Sequence, residues 1–278
     1  MGETTDIFTS LNERKKHWKW LFLDLDNTLW DFDANAQEAL KELYRRHQLH
    51  LHCDWHVDAF VDLYQDVNAA YWKRYERGEV DKETLRTGRF TDTFNAMGIP
   101  FTLQPTQVWQ EYLDICPIMT ITMPGAMEAL QWLSTRYSIA LLTNGFEKTQ
   151  NIKVDSNGMR PFVKFLQTSE HLGIAKPAGE FFAKAFETAN ISPSQAMYMG
   201  DNWDTDVVGG CLAGTTTFWY QNRDMRDYNP NVGMSELPKT EVDFYSSESL
   251  NPGSLLGSQH HYGGRILDWT GFARWLMS

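Results

Sequence analysis

The chain has 278 residues, of which 42% are hydrophobic and 22% are charged, so it is long enough for one large domain or two smaller ones. This composition is typical of a folded globular protein and excludes wholesale disorder and collagen-like repeats. The net charge of −11 would repel nucleic acid polymers and membrane surfaces, so neither is an expected partner. The cysteines Cys53, Cys116 and Cys211 are widely spaced, which argues against a disulfide framework and favours a reducing cytoplasm.

The first predicted element is a strand. The apolar run at residues 20–23 ends in carboxylates at Asp24 and Asp26, which is typical of a buried strand that delivers acids at its C-terminal end. Similar runs follow later in the chain, mostly separated by helical patterns, and this alternation predicts a parallel α/β sheet. These later runs cover residues 138–143, 163–168, 196–201 and 215–220.

A long segment after the first strand has a different pattern. Residues 36–47, 55–77 and 105–113 carry apolar side chains at helical spacing. We therefore expect an all-helical insertion over residues 35–121 and a discontinuous α/β core over residues 1–34 and 122–278.

The C-terminal part departs from the alternation a second time. Residues 224–264 contain Asn-Pro and Pro-Gly pairs and several serines, which predict a long loop. A short terminal helix is expected over residues 269–277.

Two carboxylates, Asp24 and Asp26, stand two residues apart at the end of the first strand. An ionised carboxylate can attack phosphorus without a base, and a neighbouring acid can protonate the leaving oxygen and then activate water. A calcium loop is the alternative interpretation. The EF-hand pattern fails, however, because Leu29 and Asn35 stand where glycine and glutamate are required.

Polar residues also follow the later strands. Thr143 and Asn144 offer a hydroxyl and backbone amides that can face a phosphate. Lys176 can neutralise crowded negative charge, and Asp201 with Asp206 suits a hard metal ion and a supporting carboxylate.

Four motifs occur in the order that is typical of the haloacid dehalogenase superfamily, and the chain resembles that superfamily in all four. They are DxDxT at residues 24–28, Thr143, Lys176 and GDxxxxD at residues 200–206. The resemblance implies a Rossmann-like core with a mobile helical C1 cap. It implies Asp24 as nucleophile and Asp26 as general acid and base, with phosphate contacts from Thr143, Asn144 and Lys176. It also implies Mg²⁺ on Asp24, the Asp26 main-chain carbonyl and Asp201, with Asp206 supporting the site or acting through water.

Further segments at residues 85–90, 122–126, 143–146 and 173–177 are similar to those of bacterial pyrimidine nucleotidases. This similarity implies a nucleoside 5′-monophosphate as substrate. The expected assembly is a monomer or a homodimer. Within the cap, aromatic side chains and an arginine could stack on or bond a base, although core packing of the cap is the more common role of such residues. They are Tyr71, Trp72, Tyr75 and Arg89.

Other interpretations stay open or are rejected. The group His50, His52, Cys53 and His56 lacks the paired spacing of a structural zinc site, so surface or packing roles are expected. The enzymatic alternative is a phosphatase for a small phosphorylated acid or sugar, and a sugar-phosphate mutase is a more distant one. A non-catalytic phosphate sensor is disfavoured because binding alone needs no proton donor at Asp26. A haloalkanoate dehalogenase is disfavoured because a departing halide needs no general acid.

Overall fold

The structure, a computed structural model, describes residues 11–221 and 261–278. The chain divides into two compact units. We call Met1–Asp31 with Thr120–Ser278 the core unit, and Phe32–Met119 the helical unit.

The core unit contains a six-stranded sheet in which every neighbouring pair of strands is parallel. The strand order is β3-β2-β1-β4-β5-β6, so the first strand lies in the interior between the second and the fourth. This arrangement confirms the predicted parallel α/β core. The strands are β1 (Trp20–Leu23), β2 (Ser138–Thr143), β3 (Phe165–Thr168), β4 (Ala196–Gly200), β5 (Thr216–Tyr220) and β6 (Tyr262–Ile266).

The helical unit is built from four α-helices, and short 3₁₀ turns follow the first, the third and the fourth of them. Its interior is aromatic, with the rings of Tyr64 and Phe90 4.7 Å apart and those of Tyr64 and Tyr112 5.7 Å apart. The third helix begins at a capping aspartate, since Asp81 Oδ1 accepts from the N–H of Thr84 at 2.7 Å. The helices are α1 (Phe32–Arg46), α2 (Val57–Glu76), α3 (Lys82–Ala96) and α4 (Val108–Ile115).

Helices of the core unit cover the sheet, as a sheet of buried parallel strands requires. On one face Phe181 and Phe182 pack against strand residues, and the rings of Phe182 and Tyr198 meet edge to face at 5.2 Å. The terminal helix joins the turn after β1, because Trp269 Nε1 donates to the Thr28 carbonyl at 2.7 Å. These helices are α5 (Ala126–Leu133), α6 (Glu147–Ser156), α7 (Ser169–Leu172), α8 (Gly179–Ala189), α9 (Gly209–Leu212) and α10 (Trp269–Met277), with a π-helical turn at Trp203–Val208.

The prediction of a loop continuing to residue 264 is wrong at its end, because β6 occupies Tyr262–Ile266. Its two glycines read as turn residues, but Gly263 lies against the ring of Phe218, where an added Cβ would come within 2.6 Å. The strand therefore needs a residue without a side chain at this point. The part of the predicted loop up to residue 260 lies outside the described residues.

The remaining strand and helix predictions differ from the structure by a few residues at their ends, and the terminal helix has its predicted bounds. In the described ranges, no helix combines the length and the apolar character that crossing a membrane requires.

Candidate active site

The predicted site residues of the core unit gather at the carboxyl edge of the sheet. Asp24 and Asp26 follow β1, Thr143 ends β2, and Asp201 follows β4. The backbone continues the sheet at this point, since the Asp24 N–H donates to the Met199 carbonyl at 2.8 Å. Parallel strands bring their C-terminal ends to one edge, where ligands bind in open α/β sheets.

A tight turn follows Asp24. The Leu25 carbonyl accepts from the N–H groups of Leu29 and Trp30 at 2.9 Å each, and the Asn27 N–H donates to the Trp30 carbonyl at 2.7 Å. Asn27 has a φ of 56°, a left-handed conformation that asparagine tolerates better than most residues. These bonds fix the backbone that carries Asp26.

Lys176 lies at the centre of a buried ionic cluster. Its Nζ donates to Asp24 Oδ1 at 2.7 Å and to Asp206 Oδ1 at 2.6 Å, and also to the Leu142 carbonyl and the Tyr198 hydroxyl at 3.0 Å each. The side chains of Lys176, Asp24 and Asp206 are 3%, 7% and 1% exposed. Because buried charges are costly unless paired, this lysine stabilises both carboxylates.

Asn144 holds the loop that carries Lys176. Its Nδ2 donates to the Lys176 carbonyl at 3.0 Å, and its Oδ1 accepts from the Lys176 N–H at 2.8 Å. The side-chain amide of Asn144 thus positions Lys176, so a phosphate contact by Asn144 would be made through its backbone.

Asp206 is held from several directions by groups of β4 and the π-helical turn. Its Oδ1 also accepts from the Tyr198 hydroxyl at 2.6 Å, and its Oδ2 accepts from the Asn202 N–H at 3.0 Å. The carboxylate lies against Gly200, at a place where a Cβ on that glycine would overlap it. Sequence reasoning found Asp206 and missed Tyr198, which stands inside a strand with no motif to mark it.

The acids of this cluster have perturbed pKa values. Burial raises the pKa of Asp24, with Lys176 opposing the shift and Asp206 and Asp26 adding to it. Burial also raises the pKa of Asp201, and the carboxylates of Asp24 and Asp206 raise it further. Although burial works against it, Asp206 and Asp24 raise the pKa of Lys176 above its ordinary value, so it stays charged.

The carboxylates of Asp24, Asp201 and Asp206 offer oxygens that lie within 4.8 Å of one another, and they form the only such group of potential metal ligands among residues 11–221 and 261–278. Mutual repulsion of these acids is the state that a bound cation relieves. An all-oxygen donor set is the kind that Mg²⁺ prefers. The residues present therefore fit a divalent cation, and Asp24 and Asp201 are better placed to hold it than Asp206, whose two oxygens already accept hydrogen bonds.

Asp26 belongs to a second network, formed with helix α6. Lys153 Nζ donates to Asp26 Oδ1 at 2.6 Å, and Gln150 Nε2 donates to Asp26 Oδ2 at 2.8 Å. Gln150 Nε2 also donates to Thr143 Oγ1 at 3.1 Å. The side chain of Asp26 is 29% exposed, whereas that of Lys153 is 5% exposed.

The residues considered for substrate choice lie in the helical unit. Arg89 is buried, donates to Asn68 Oδ1 at 2.8 Å and lies 5.1 Å from the ring of Tyr112. Tyr71 is buried and donates to Asp92 at 2.8 Å, so it and Arg89 pack within the unit. Trp72 and Tyr75 keep partial exposure, and their rings meet edge to face at 5.8 Å.

The histidine and cysteine group near residue 53 has local contacts. Cys53 Sγ donates to the Leu49 carbonyl at 3.4 Å, and the His56 side chain caps α2 by accepting from the Asp58 N–H. These contacts agree with the expected packing and surface roles.

Comparison with known proteins identifies the family of this chain. A family model described as haloacid dehalogenase-like hydrolase matches residues 18–214. The pyrimidine 5′-nucleotidase YjjG of Escherichia coli is 29% identical over 203 residues, which are 73% of this chain and 85% of that protein. The pyrimidine 5′-nucleotidase PynA of Streptococcus pneumoniae is 30% identical over 213 residues, which are 76% of this chain and 87% of that protein.

Solved structures agree with the family match. The HAD-hydrolase YfnB of Bacillus subtilis, in a crystal structure bound to magnesium, matches with a TM-score of 0.66 and 25% identity, covering 73% of this chain and 89% of that chain. The defluorinating L-2-haloacid dehalogenase Rha0230 matches in fold with a TM-score of 0.68 and 16% identity, covering 94% of this chain and 96% of that chain. The parallel sheet with acids at its carboxyl edge and the family match over most of the chain lead to one conclusion: the chain belongs to the haloacid dehalogenase-like hydrolase family.

Proposed function

We propose that the protein is a Mg²⁺-dependent phosphate monoester hydrolase that forms an aspartyl-phosphate on Asp24 and acts on nucleoside 5′-monophosphates. The observation that carries this proposal is the pairing of two carboxylates in different settings. Asp24 lies in the buried cluster around Lys176, whereas Asp26 is partly exposed and is held by the buried side chains of Lys153 and Gln150. Two acids in different environments suit the roles of nucleophile and proton carrier.

The reaction proceeds in two steps. An oxygen of Asp24 attacks phosphorus, the bond from phosphorus to the ester oxygen breaks, and that oxygen takes a proton from Asp26. Asp26, now a carboxylate, accepts a proton from water as the water oxygen attacks the phosphorus of the aspartyl-phosphate, and the bond from phosphorus to the Asp24 oxygen breaks. The products are an alcohol and inorganic phosphate, and both aspartates return to their starting state.

Positive charge and hydrogen-bond donors support both steps. Lys176 holds Asp24 in place and keeps its own charge next to the reacting oxygens. Thr143 supplies a hydroxyl for a phosphate oxygen, and the backbone after it supplies amides. Mg²⁺, held by Asp24, the Asp26 main-chain carbonyl and Asp201, would supply charge that keeps Asp24 ionised and neutralises the phosphate.

The choice of nucleotides rests on the named activities of YjjG and PynA, together with the partly exposed rings of Trp72 and Tyr75. Aromatic rings can stack on a base and add about 1–3 kcal/mol per base. The alternative is a phosphatase for a small phosphorylated compound. It is supported by weaker similarity to a glyceraldehyde 3-phosphate phosphatase of Methanopyrus kandleri, which is 23% identical over 228 residues.

A substrate panel tests the proposal. We expect Mg²⁺-dependent release of phosphate from uridine and thymidine monophosphates with a kcat/KM about tenfold or more above that for phosphoglycolate and hexose phosphates. Asp24→Asn should fold normally and lose turnover, since an amide is not a nucleophile. Preference for the small phosphates would support the alternative, and an active Asp24→Asn variant would overturn the mechanism.

A further inference from the structure

Two polar residues of helix α6 reach the site although they lie outside the motifs of the sequence. Gln150 and Lys153 stand three residues apart, which places them on the same face of the helix. Gln150 is 1% exposed and Lys153 is 4% exposed. A buried helix face is normally apolar, so an amide and an ammonium group in these positions require a reason.

The two side chains hold Asp26 at both of its oxygens. Lys153 donates to Oδ1 and Gln150 donates to Oδ2, at 2.6 Å and 2.8 Å. Each carboxylate oxygen has two lone pairs, so one bond to each oxygen fixes the plane of the group and leaves a site on each oxygen for a proton. The donors can therefore orient Asp26 without occupying every position from which it can give or take a proton.

Lys153 also contacts the other end of the turn after β1. Its Nζ lies 4.2 Å from the centre of the Trp30 ring, a cation–π contact, and Trp30 is fully buried. The backbones of Asp26 and Trp30 form an isolated β-bridge within this turn. The lysine thus joins α6 to both ends of the turn that carries Asp26.

Gln150 links Asp26 to Thr143. Thr143 Oγ1 accepts from Gln150 Nε2 at 3.1 Å and from the Gly145 N–H at 3.0 Å, so it accepts two hydrogen bonds and its own proton remains to be donated. Within the described residues, Gln150 Oε1 is buried and makes no hydrogen bond. Leaving a buried acceptor unsatisfied is costly, which indicates that the contacts of Nε2 determine the placement of this side chain.

We propose that Gln150 and Lys153 are positioning residues that aim the Asp26 carboxyl group at the leaving oxygen, and that Gln150 also directs the Thr143 hydroxyl toward the phosphate. The inference rests on the proposed function, in which Asp26 protonates the leaving group. It adds that efficient proton transfer from Asp26 to the leaving oxygen depends on Gln150 and Lys153 of α6.

The test uses two aryl phosphates that differ mainly in leaving-group basicity. Phenyl phosphate needs a proton on its leaving oxygen, whereas dinitrophenyl phosphate leaves readily as an anion. The kcat/KM of each substrate reports the steps up to formation of the aspartyl-phosphate. The ratio of kcat/KM for phenyl phosphate to kcat/KM for dinitrophenyl phosphate therefore measures how well the leaving oxygen is protonated. This ratio does not depend on how much of a variant is folded.

We expect Lys153→Met to lower kcat/KM for phenyl phosphate by about 10–100-fold, and for dinitrophenyl phosphate by about threefold or less. Gln150→Met should lower the ratio to a similar extent, with a further loss that is equal for both substrates because Thr143 loses its hydrogen-bond donor. Asp26→Asn should show the same selectivity with a larger loss. Lys153→Arg retains a charged donor and should recover most of the ratio. Lys148→Met removes an exposed lysine from the same helix and should leave the ratio at the wild-type value.

The outcomes distinguish the acid role of Asp26 from the positioning role of Gln150 and Lys153. A low ratio for Asp26→Asn together with wild-type ratios for Lys153→Met and Gln150→Met would overturn the inference and leave the proposed function intact. A wild-type ratio for Asp26→Asn would overturn the acid role itself and the inference with it. Low ratios for all three variants would support both.

Discussion

At the scale of single residues, the ionic cluster depends on close approach of backbone to side chain. Asp206 receives bonds from Lys176, Tyr198 and the Asn202 backbone, and its carboxylate occupies the space that a side chain at Gly200 would fill. Glycine is therefore required at position 200, because any side chain there would overlap the Asp206 carboxylate. The two glycines that follow the cluster in the chain, Gly209 and Gly210, lie similarly close to side chains of Phe182 and Thr217.

Gly200→Ala is expected to displace the Asp206 carboxylate. Overpacking of a close-packed site costs about 1–3 kcal/mol of unfolding free energy. The shift of Asp206 should also misplace Lys176 and lower kcat by about 10-fold or more, since catalytic groups tolerate little displacement. Urea unfolding and phosphatase assays measure the two effects.

Gly179→Ala is the matched control for this substitution. Gly179 begins α8, and an added Cβ there meets no atom within 4 Å. Alanine favours helix over glycine by roughly 0.5–1 kcal/mol, so this variant should be as stable as the wild type or slightly more stable, and fully active. Equal effects of both substitutions would contradict the role assigned to the space at Gly200.

At the scale of elements, the sequence reveals those parts of the fold and site that motifs and periodicity mark. The apolar runs before Asp24, Thr143 and Asp201 predict three strands of the sheet, and parallel topology then brings those residues together at one edge. Strand β6 could not be predicted, because Gly263 is required by contact with Phe218 of β5, which neighbours it in the sheet but is far away in the sequence.

The buried network around Asp26 was missed for a related reason. Gln150 and Lys153 are ordinary surface residue types, and only the tertiary structure buries them. A signal was present in retrospect: α6, with the sequence EKTQNIKVDS, has too few apolar residues to supply an apolar buried face. A helix of that composition directly after Thr143-Asn144-Gly145 indicates polar contacts at the carboxyl edge of the sheet.

Within the helical unit, α2 and α3 contain residues for which we predict opposite effects. Arg89→Ala removes a buried guanidinium that bonds Asn68 and lies near the rings of Tyr64, Phe90 and Tyr112. It should lower the free energy of unfolding by about 2 kcal/mol or more and reduce activity on all substrates in proportion. Thermal unfolding and the substrate panel measure this.

Trp72→Ala should instead change substrate preference. Its ring is half-buried, so its loss should leave the fold nearly as stable while lowering kcat/KM for nucleotides about tenfold relative to phosphoglycolate. Equal losses on all substrates would show that Trp72, like Arg89, packs within the helical unit.

At the scale of the whole molecule, the clustered acids make stability depend on pH and on cations. In the unfolded chain, aspartate pKa values are about 4, whereas folding raises those of Asp24 and Asp201. A group whose pKa is raised by folding binds more protons in the folded state, so its contribution to stability falls as pH rises above about 4 and is lowest above the folded-state pKa. Cation binding requires the deprotonated carboxylates and should therefore strengthen as pH rises.

We expect Mg²⁺ to raise the melting temperature more at pH 8 than at pH 6, and a chelator to reverse the effect and to abolish turnover.

Asp201→Asn removes one of the repelling carboxylates. It should raise the melting temperature of the metal-free protein at pH 8 by about 2–4 °C for each kcal/mol relieved, and should remove the response to Mg²⁺. Differential scanning calorimetry measures these changes.

Asp204→Asn serves as the control, because Asp204 is exposed on the π-helical turn and lies outside the carboxylate cluster. It should leave both the melting temperature and its response to Mg²⁺ unchanged. A lower melting temperature for metal-free Asp201→Asn would contradict the repulsion argued for this cluster.

Strand β1 leaves the ribosome before both of its neighbours in the sheet. Leu21 pairs with Ile139 of β2 and with Met197 of β4, so the strand that precedes Asp24 lacks both neighbours until β2 and β4 have been synthesised. Through this time its apolar side chains and both edges lack their partners, which is the state most prone to association with other chains. The intervening helical unit can gather its own aromatic core during the wait, and the entropic cost of closing the long connection grows only slowly with its length. We therefore expect nascent chains that end before β4 to depend on chaperones that bind apolar segments, and activity to arise only after β4 has been synthesised.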